Sequence, residues 1–263
     1  MRFYSVTLGL LCFPLLLLGS VTAQSIQSYT PLQAHSHNDY LRAEPFWEAY
    51  RQGFGSIEID LVLHNGQLYV AHDSSQIDDD KRLDNLYLKP LSKLIKGDQW
   101  IKDGRTSLQL MIDLKSETKA SMEALKEALG PMEKYLAPHG PLRVVITGNI
   151  PHPASFKEYP LYFYFDGRPD MSYTKYQLMR LALISQNFKN YSHWNGEGDM
   201  TRKDRRRIAR TVEQVHLKGK PIRFWAAPDN INTWRKLMEL QVDYLNTDRV
   251  IELGDYLRTA PKD

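Results

Sequence analysis

The 263-residue sequence has one cysteine, Cys12, so no disulfide within the chain can hold the fold together. Charge of one sign is also missing. Lys and Arg number 34 against 31 Asp and Glu, a formal +3, which argues against nucleic acid as an obligatory partner. No Gly-rich dinucleotide fingerprint or phosphate-binding loop opens any amphipathic stretch, which weakens a nucleotide-binding reading. No low-complexity linker divides the chain, so a single domain of barrel size is in play. What is present is ordinary globular composition, 42% hydrophobic and 25% charged, which excludes a disordered chain or a multi-span membrane protein.

The long apolar run sits at the start. Arg2 is the only charge before Asp39, Leu8 to Leu18 is almost unbroken apolar sequence, and Gly19 to Ala23 are small or β-branched. This pattern predicts a secretory signal peptide over residues 1–23, cut before Gln24. A membrane anchor fits less well, because the run is short for about 30 Å of hydrocarbon and no basic cluster follows it. Cys12 lies inside the run without a lipoprotein cleavage context, so residues 24–263 carry no cysteine. The expectation is an exported protein, periplasmic or secreted and bacterial, held by its core alone.

From residue 31 onward, short apolar strands alternate with amphipathic or turn-rich segments. Strand patterns read at Pro31–Asp39, Ser56–His72, Ser107–Ser116, Leu142–Asn149, Leu161–Gly167, Ala182–Phe188, Ile222–Asp229 and Val242–Asp248. The second contains His64-Asn65-Gly66-Gln67, a hairpin signal. Helical spacing recurs over Thr118–Leu136, Thr201–Lys218, Ile231–Leu240 and Val250–Leu257. Eight strands with mostly helical crossovers predict an α/β fold, a single-domain (β/α)8 TIM barrel over residues 24–263. The connection Asp73–Arg105 reads as long and irregular, a lid or a decorated loop.

Barrel chemistry belongs at the C-terminal ends of the strands. Side chains alternate along a strand, so Glu58 and Asp60 share one face, as do Asp113 and Lys115, and His35 and His37. A Glu-x-Asp pair is commonly a solvated face. Here Ile57, Ile59, Ile112 and Leu114 claim the helix side and turn the carboxylates inward. Glu58, Asp60 and Asp113 supply the hard oxygen ligands that Mg2+ or Ca2+ prefers. Lys115 beside them suits an anionic substrate. Trp225 at a strand end reads as core or as a wall of the substrate pocket. His72-Asp73 alone is more often a strand-end turn, His64 an exposed hairpin residue, and Arg205-Arg206-Arg207 a solvated helix face.

Gly55-Ser56-Ile57-Glu58-Ile59-Asp60 followed by Leu68-Tyr69-Val70-Ala71-His72-Asp73 resembles the glycerophosphodiester phosphodiesterase and phosphatidylinositol-specific phospholipase C superfamily. Ala34-His35 is similar to its first motif and Asp113-Leu114-Lys115 to its acidic-x-Lys. Phe224 to Asn230 and Val242 to Asp248 are similar to its last two strands. The resemblance departs at strand one, where His35-Ser36-His37-Asn38-Asp39-Tyr40 replaces the common His-Arg-Gly and no Pro-Glu-Asn-Thr segment follows. That version resembles an uncharacterised, mostly bacterial subgroup.

The resemblance implies a phosphoric diester hydrolase using one divalent cation, Mg2+ or Ca2+, on Glu58, Asp60 and Asp113. His35 and His72 would be its acid–base pair, with His37, Lys115 and Trp225 on the substrate. It implies attack by an adjacent hydroxyl through a cyclic phosphodiester. The expected partner is a small phosphodiester or lipid headgroup, with peripheral membrane contact left open and neither nucleic acid nor an obligatory protein partner. Two other readings stay open: a zinc-dependent amidohydrolase built on His35-x-His37 and Asp248, and a non-enzymatic phospho-ligand binding protein.

Overall fold

The computed structural model describes residues 28–97 and 107–259. The signal-peptide segment lies outside the described residues. The strands are β1 (Ala34–Ser36), β2 (Ser56–His64), β3 (Gln67–Val70), β4 (Leu108–Leu114), β5 (Leu142–Gly148), β6 (Phe163–Gly167), β7 (Leu181–Asn187), β8 (Ile222–Trp225) and β9 (Leu245–Thr247). Their order is β8-β7-β6-β5-β4-β2-β1-β9, with β3 paired antiparallel to β2. A parallel bridge from Arg223 to Tyr244, with Tyr244 N donating to Ile222 O at 3.1 Å, brings the two ends of that order together. Eight parallel strands thus form the nearly closed barrel expected from the pattern.

Helices cover the outside: α1 (Trp47–Arg51), α2 (Lys89–Lys96), α3 (Thr118–Leu129), α4 (Lys175–Arg180), α5 (Arg202–Leu217), α6 (Ile231–Glu239) and α7 (Val250–Thr259). Ile57, Ile59, Leu110, Ile112, Val144, Ile146, Phe163, Phe165, Ile222 and Phe224 point outward into the main core against helix residues such as Leu125, Ile208, Val212, Trp234 and Leu253. Each such aliphatic side chain, once fully buried, favours folding by about 1.5–3 kcal/mol. Side-chain hydrogen bonds fix where helices begin. Thr201 Oγ1 accepts from Asp204 N at 3.1 Å, and Asn230 Oδ1 from Thr233 N at 2.9 Å.

The alternate face fills the barrel in two layers. Met111, Val145, Ala182 and Leu183, with Tyr164 and Tyr244, form a separate apolar cluster. Two residues onward from five of them, on the same face, stand Asp113, Thr147, Asp166, Ser185 and Asn246. The apolar layer closes the barrel below. The polar layer lies one step toward the C-terminal mouth.

Three local expectations differ from the structure. The helix from Thr118 ends at Leu129, because Pro131 has no N–H to continue the ladder, and a 3₁₀ segment Gly130–Tyr135 follows. The connection after Asp73 is less irregular than read: its described part holds α2 and buries Leu83, Tyr87, Leu88 and Leu91. The first strand is only three residues long, since Asn38 adopts φ 46° and turns the chain into a 3₁₀ segment. Among the described residues no helix is long and apolar enough to cross a membrane.

Candidate active site

The parallel register places the acidic residues side by side. Asp60 is opposite Asp113, and Asp113 is opposite Thr147. Potential ligand oxygens of Glu58, Asp60 and Asp113 lie within 4.8 Å of one another, with Glu58 and Asp60 buried and Asp113 half-buried. Two ligands on opposite sides of a calcium ion at about 2.3–2.6 Å would be about 5 Å apart, so the spacing fits one hard cation. Burial pushes the Asp113 carboxyl above its ordinary value, against the neighbouring Lys115. Lys115 Nζ lies 2.9 Å from Asp113 Oδ2 and 3.3 Å from Asp60 Oδ1. Three carboxylates thus face two cations, Lys115 and Arg223. A bound divalent cation would be electrostatically welcome.

Two further features hold this cluster. Tyr40 Oη donates to Asp60 Oδ2 at 2.8 Å. Gly148 follows Thr147 with φ +72°, and a Cβ there would collide with Asp113 Oδ1, so the glycine leaves the space that Asp113 occupies.

His35 is fully buried at the floor of the mouth. Its Nδ1 lies 2.7 Å from Ser56 Oγ, which accepts from Gln109 Nε2 at 2.9 Å, and its Nε2 lies 2.6 Å from Glu58 Oε2. Arg223 Nη1 contacts both Glu58 Oε2 and His35 Nε2. Burial, reinforced by the Arg223 charge, pushes the His35 imidazole down to about 4 despite Glu58. Burial alone would raise the Glu58 carboxyl, but Arg223 and His35 outweigh it and hold Glu58 well below the usual carboxylate range. These contacts all fall on Glu58 Oε2, and Oε1 has no hydrogen bond among the described residues.

His37 is not part of that cluster. Its Nδ1 lies 3.0 Å from Asp248 Oδ1, and Asp248 is in turn bound by Arg42 Nη2 at 3.3 Å. Asp229 sets this strand end by accepting from Asp248 N at 2.7 Å and from Thr247 Oγ1 at 2.8 Å. Burial would lower the His37 imidazole, but the Asp248 hydrogen bond and the nearby carboxylates reverse this and raise it. A histidine whose folded value is raised contributes stability that is complete below its unfolded value, near 6.5. That stability is lost as pH rises through the folded value. The melting advantage of the wild type over His37→Gln is therefore expected to shrink on going from pH 6 to pH 9, from at most about 1 kcal/mol for this part-exposed pair. Parallel melting curves across that range would contradict the pairing.

The remaining residues of the first motif are structural. Asp39 accepts from Ser36 Oγ at 2.8 Å, from Phe46 N at 2.6 Å and from Tyr87 Oη at 2.9 Å. His72 stands apart from His35. It follows β3, where Ala71 N donates to Asp60 O at 3.2 Å, so it arrives at the level of the acidic cluster. Its side chain is 61% exposed and its one ionic partner among the described residues is Asp73, at 3.7 Å. Asp73 also caps the following turn by accepting from Ser75 N at 2.8 Å. Trp225 is 38% exposed, on the same strand face as Arg223. The backbone after it, at Ala226, takes φ 57° and ends β8.

Sequence reasoning missed Arg223. Its signal was available, because Ile222 and Phe224 flank it as Ile57 and Ile59 flank Glu58. It also missed Tyr40 as the partner of Asp60. Arg205, Arg206 and Arg207 are exposed, as a solvated helix face requires, and Arg207 also donates to Tyr191 O at 2.9 Å and Asn190 O at 2.7 Å. His35 and His37 turn to separate partners, and the only metal-capable group among the described residues is the carboxylate trio, which speaks against the zinc reading.

Comparison with known families finds phosphodiesterase domains. Residues 23–165 match the AIM6-like phosphodiesterase domain, and residues 221–251 match the glycerophosphoryl diester phosphodiesterase family. The chain is 26% identical over 259 residues to the Altered inheritance of mitochondria protein 6 homolog of Arthroderma benhamiae, covering 84% of this chain and 82% of that protein. It is 35% identical over 170 residues to Altered inheritance of mitochondria protein 6 of Kluyveromyces lactis, covering 48% of this chain and 39% of that protein. The Saccharomyces cerevisiae protein of the same name is 26% identical over 267 residues, covering 85% of this chain and 67% of that protein. These relatives are fungal and named for mitochondrial inheritance, which overturns the expected bacterial periplasmic or secreted location. An apolar leader with a small-residue end did not by itself carry that assignment.

Proposed function

The chain belongs to the AIM6-like phosphodiesterase domain family, and from that premise we propose that it hydrolyses phosphodiesters with the help of one divalent cation, Mg2+ or Ca2+. The observation that carries the reading is the trio Glu58, Asp60 and Asp113 at the mouth of the barrel, beside a buried histidine and Lys115. Glu58, Asp60 and Asp113 would hold the cation, whose chemistry when bound is to polarise a phosphate oxygen. Tyr40 would steady Asp60 as a ligand by donating to its Oδ2. Lys115 neutralises charge on the transferring phosphoryl group, and His37 donates to a phosphate oxygen.

His35 and His72 form the acid–base pair. One takes the proton from the attacking hydroxyl as its oxygen bonds to phosphorus. The other returns a proton to the leaving alcohol as its P–O bond breaks. Attack by a neighbouring hydroxyl of the substrate gives a cyclic phosphodiester, and attack by water gives a monoester. Trp225 walls the mouth on the leaving-group side. The substrate class is a glycerophosphodiester or a phospholipid headgroup, reached without a membrane-spanning helix among the described residues.

The test is a panel of glycerophosphocholine, glycerophosphoinositol, lysophosphatidylcholine and phosphatidylinositol vesicles, followed by phosphorus NMR. The expected result is consumption of at least one diester with a cyclic or monoester product. Binding of these compounds without consumption would instead support a phospho-ligand binding protein.

A further inference from the structure

We propose that Arg223 binds the phosphoryl group directly, so that a single guanidinium ties together Glu58, His35 and the substrate. The inference rests on the phosphodiesterase reading of the same site and adds a residue to it.

Arg223 is only 3% exposed, yet its donors are unevenly used. Nε donates to Ser185 Oγ at 3.1 Å. Nη1 donates to Asn246 Oδ1 at 3.1 Å and contacts Glu58 Oε2 and His35 Nε2. Nη2 carries no hydrogen bond to any described residue, and it is not among the buried side-chain atoms that lack a partner. Two N–H groups on one nitrogen therefore face space that solvent reaches. That space is the barrel mouth, because Ile222 and Phe224 pack outward and the apolar layer with Met111, Val145 and Leu183 closes the interior below.

An interior arginine aimed this way needs a reason. If its role were only to neutralise Glu58, the natural arrangement would turn both terminal nitrogens onto the carboxylate as a fork. Here one terminal nitrogen, Nη1, meets Glu58, His35 and Asn246, while Nη2 has no partner among the described residues. Ser185 and Asn246 brace the plane of the guanidinium from two different strands, which fixes where Nη2 points. The ligand this donor pair suits is a monoanionic phosphodiester oxygen, since guanidinium N–H groups match phosphate oxygens in geometry and charge.

The test uses dimethyl phosphate, a diester monoanion that resists hydrolysis, titrated into the full chain in EDTA and followed by calorimetry and tryptophan fluorescence. Arg223→Lys keeps a positive charge beside Glu58 but loses the planar fork, and it is expected to weaken binding by about tenfold or more. Ser185→Ala removes the brace on Nε without touching the charge, and it is expected to weaken binding by a smaller factor at unchanged melting temperature. Wild-type affinity in both variants, or no binding of dimethyl phosphate by the wild type, overturns the inference. Binding that depends on Arg223 in a chain that hydrolyses no diester would sustain the inference and remove the phosphodiesterase reading. Hydrolysis that Arg223→Lys leaves unchanged would do the reverse.

Discussion

His35→Gln is expected to lower kcat/KM for a phosphodiester by about 100- to 10,000-fold, the range spanned by loss of a proton-transfer group. His35 lies in the polar layer just above the closed floor of the barrel, in contact with Glu58 and Arg223 and braced by Ser56. Glutamine can still hydrogen-bond to Ser56 and Glu58, so the melting temperature is expected to stay within about 4 °C of wild type. Loss of activity with the fold intact separates chemistry from stability. The same substitution at exposed His72 tests the second half of the pair, with no stability cost expected there. Retained activity in either folded variant would remove that histidine from the reaction.

Asp60→Asn is expected to lower turnover by about 100-fold or more, beyond the usual effect of losing a residue that only supports a ligand. Asp60 is buried between Tyr40, which donates to one of its oxygens, and Lys115, which pairs with the other. Asparagine keeps the shape and an oxygen for Tyr40 but removes the charge that a divalent cation needs. The loss should therefore ease as Mg2+ or Ca2+ is raised, because weakened affinity can be overcome by concentration. A loss that no cation concentration relieves, in a folded protein, would place Asp60 in a purely structural role.

Much of this site was legible before the structure because period-two alternation leaves so few choices. Ile57 and Ile59 could only serve the helix side, so Glu58 and Asp60 had to point into the barrel, and the register then placed Asp113 beside Asp60. The same alternation at Ile222 and Phe224, which face the helices, turns Arg223 into the barrel. His37 shows the limit of alternation. It shares a face with His35, yet the turn at Asn38 and the pull of Asp248 and Arg42 take it to another partner. His72 shows another limit. It follows the last bond between β3 and β2, from Ala71 N to Asp60 O, so no ladder bond holds His72 itself. Location was the weakest inference, since composition and a short apolar run carry no information about lineage.

Cation-assisted cleavage at the carboxylate trio is measured most directly with bis(p-nitrophenyl) phosphate. The wild-type chain stripped with EDTA is predicted to release no nitrophenol, and added Mg2+ or Ca2+ is predicted to restore release. Turnover that survives EDTA unchanged, or that fails to return with either ion in a folded protein, would contradict it.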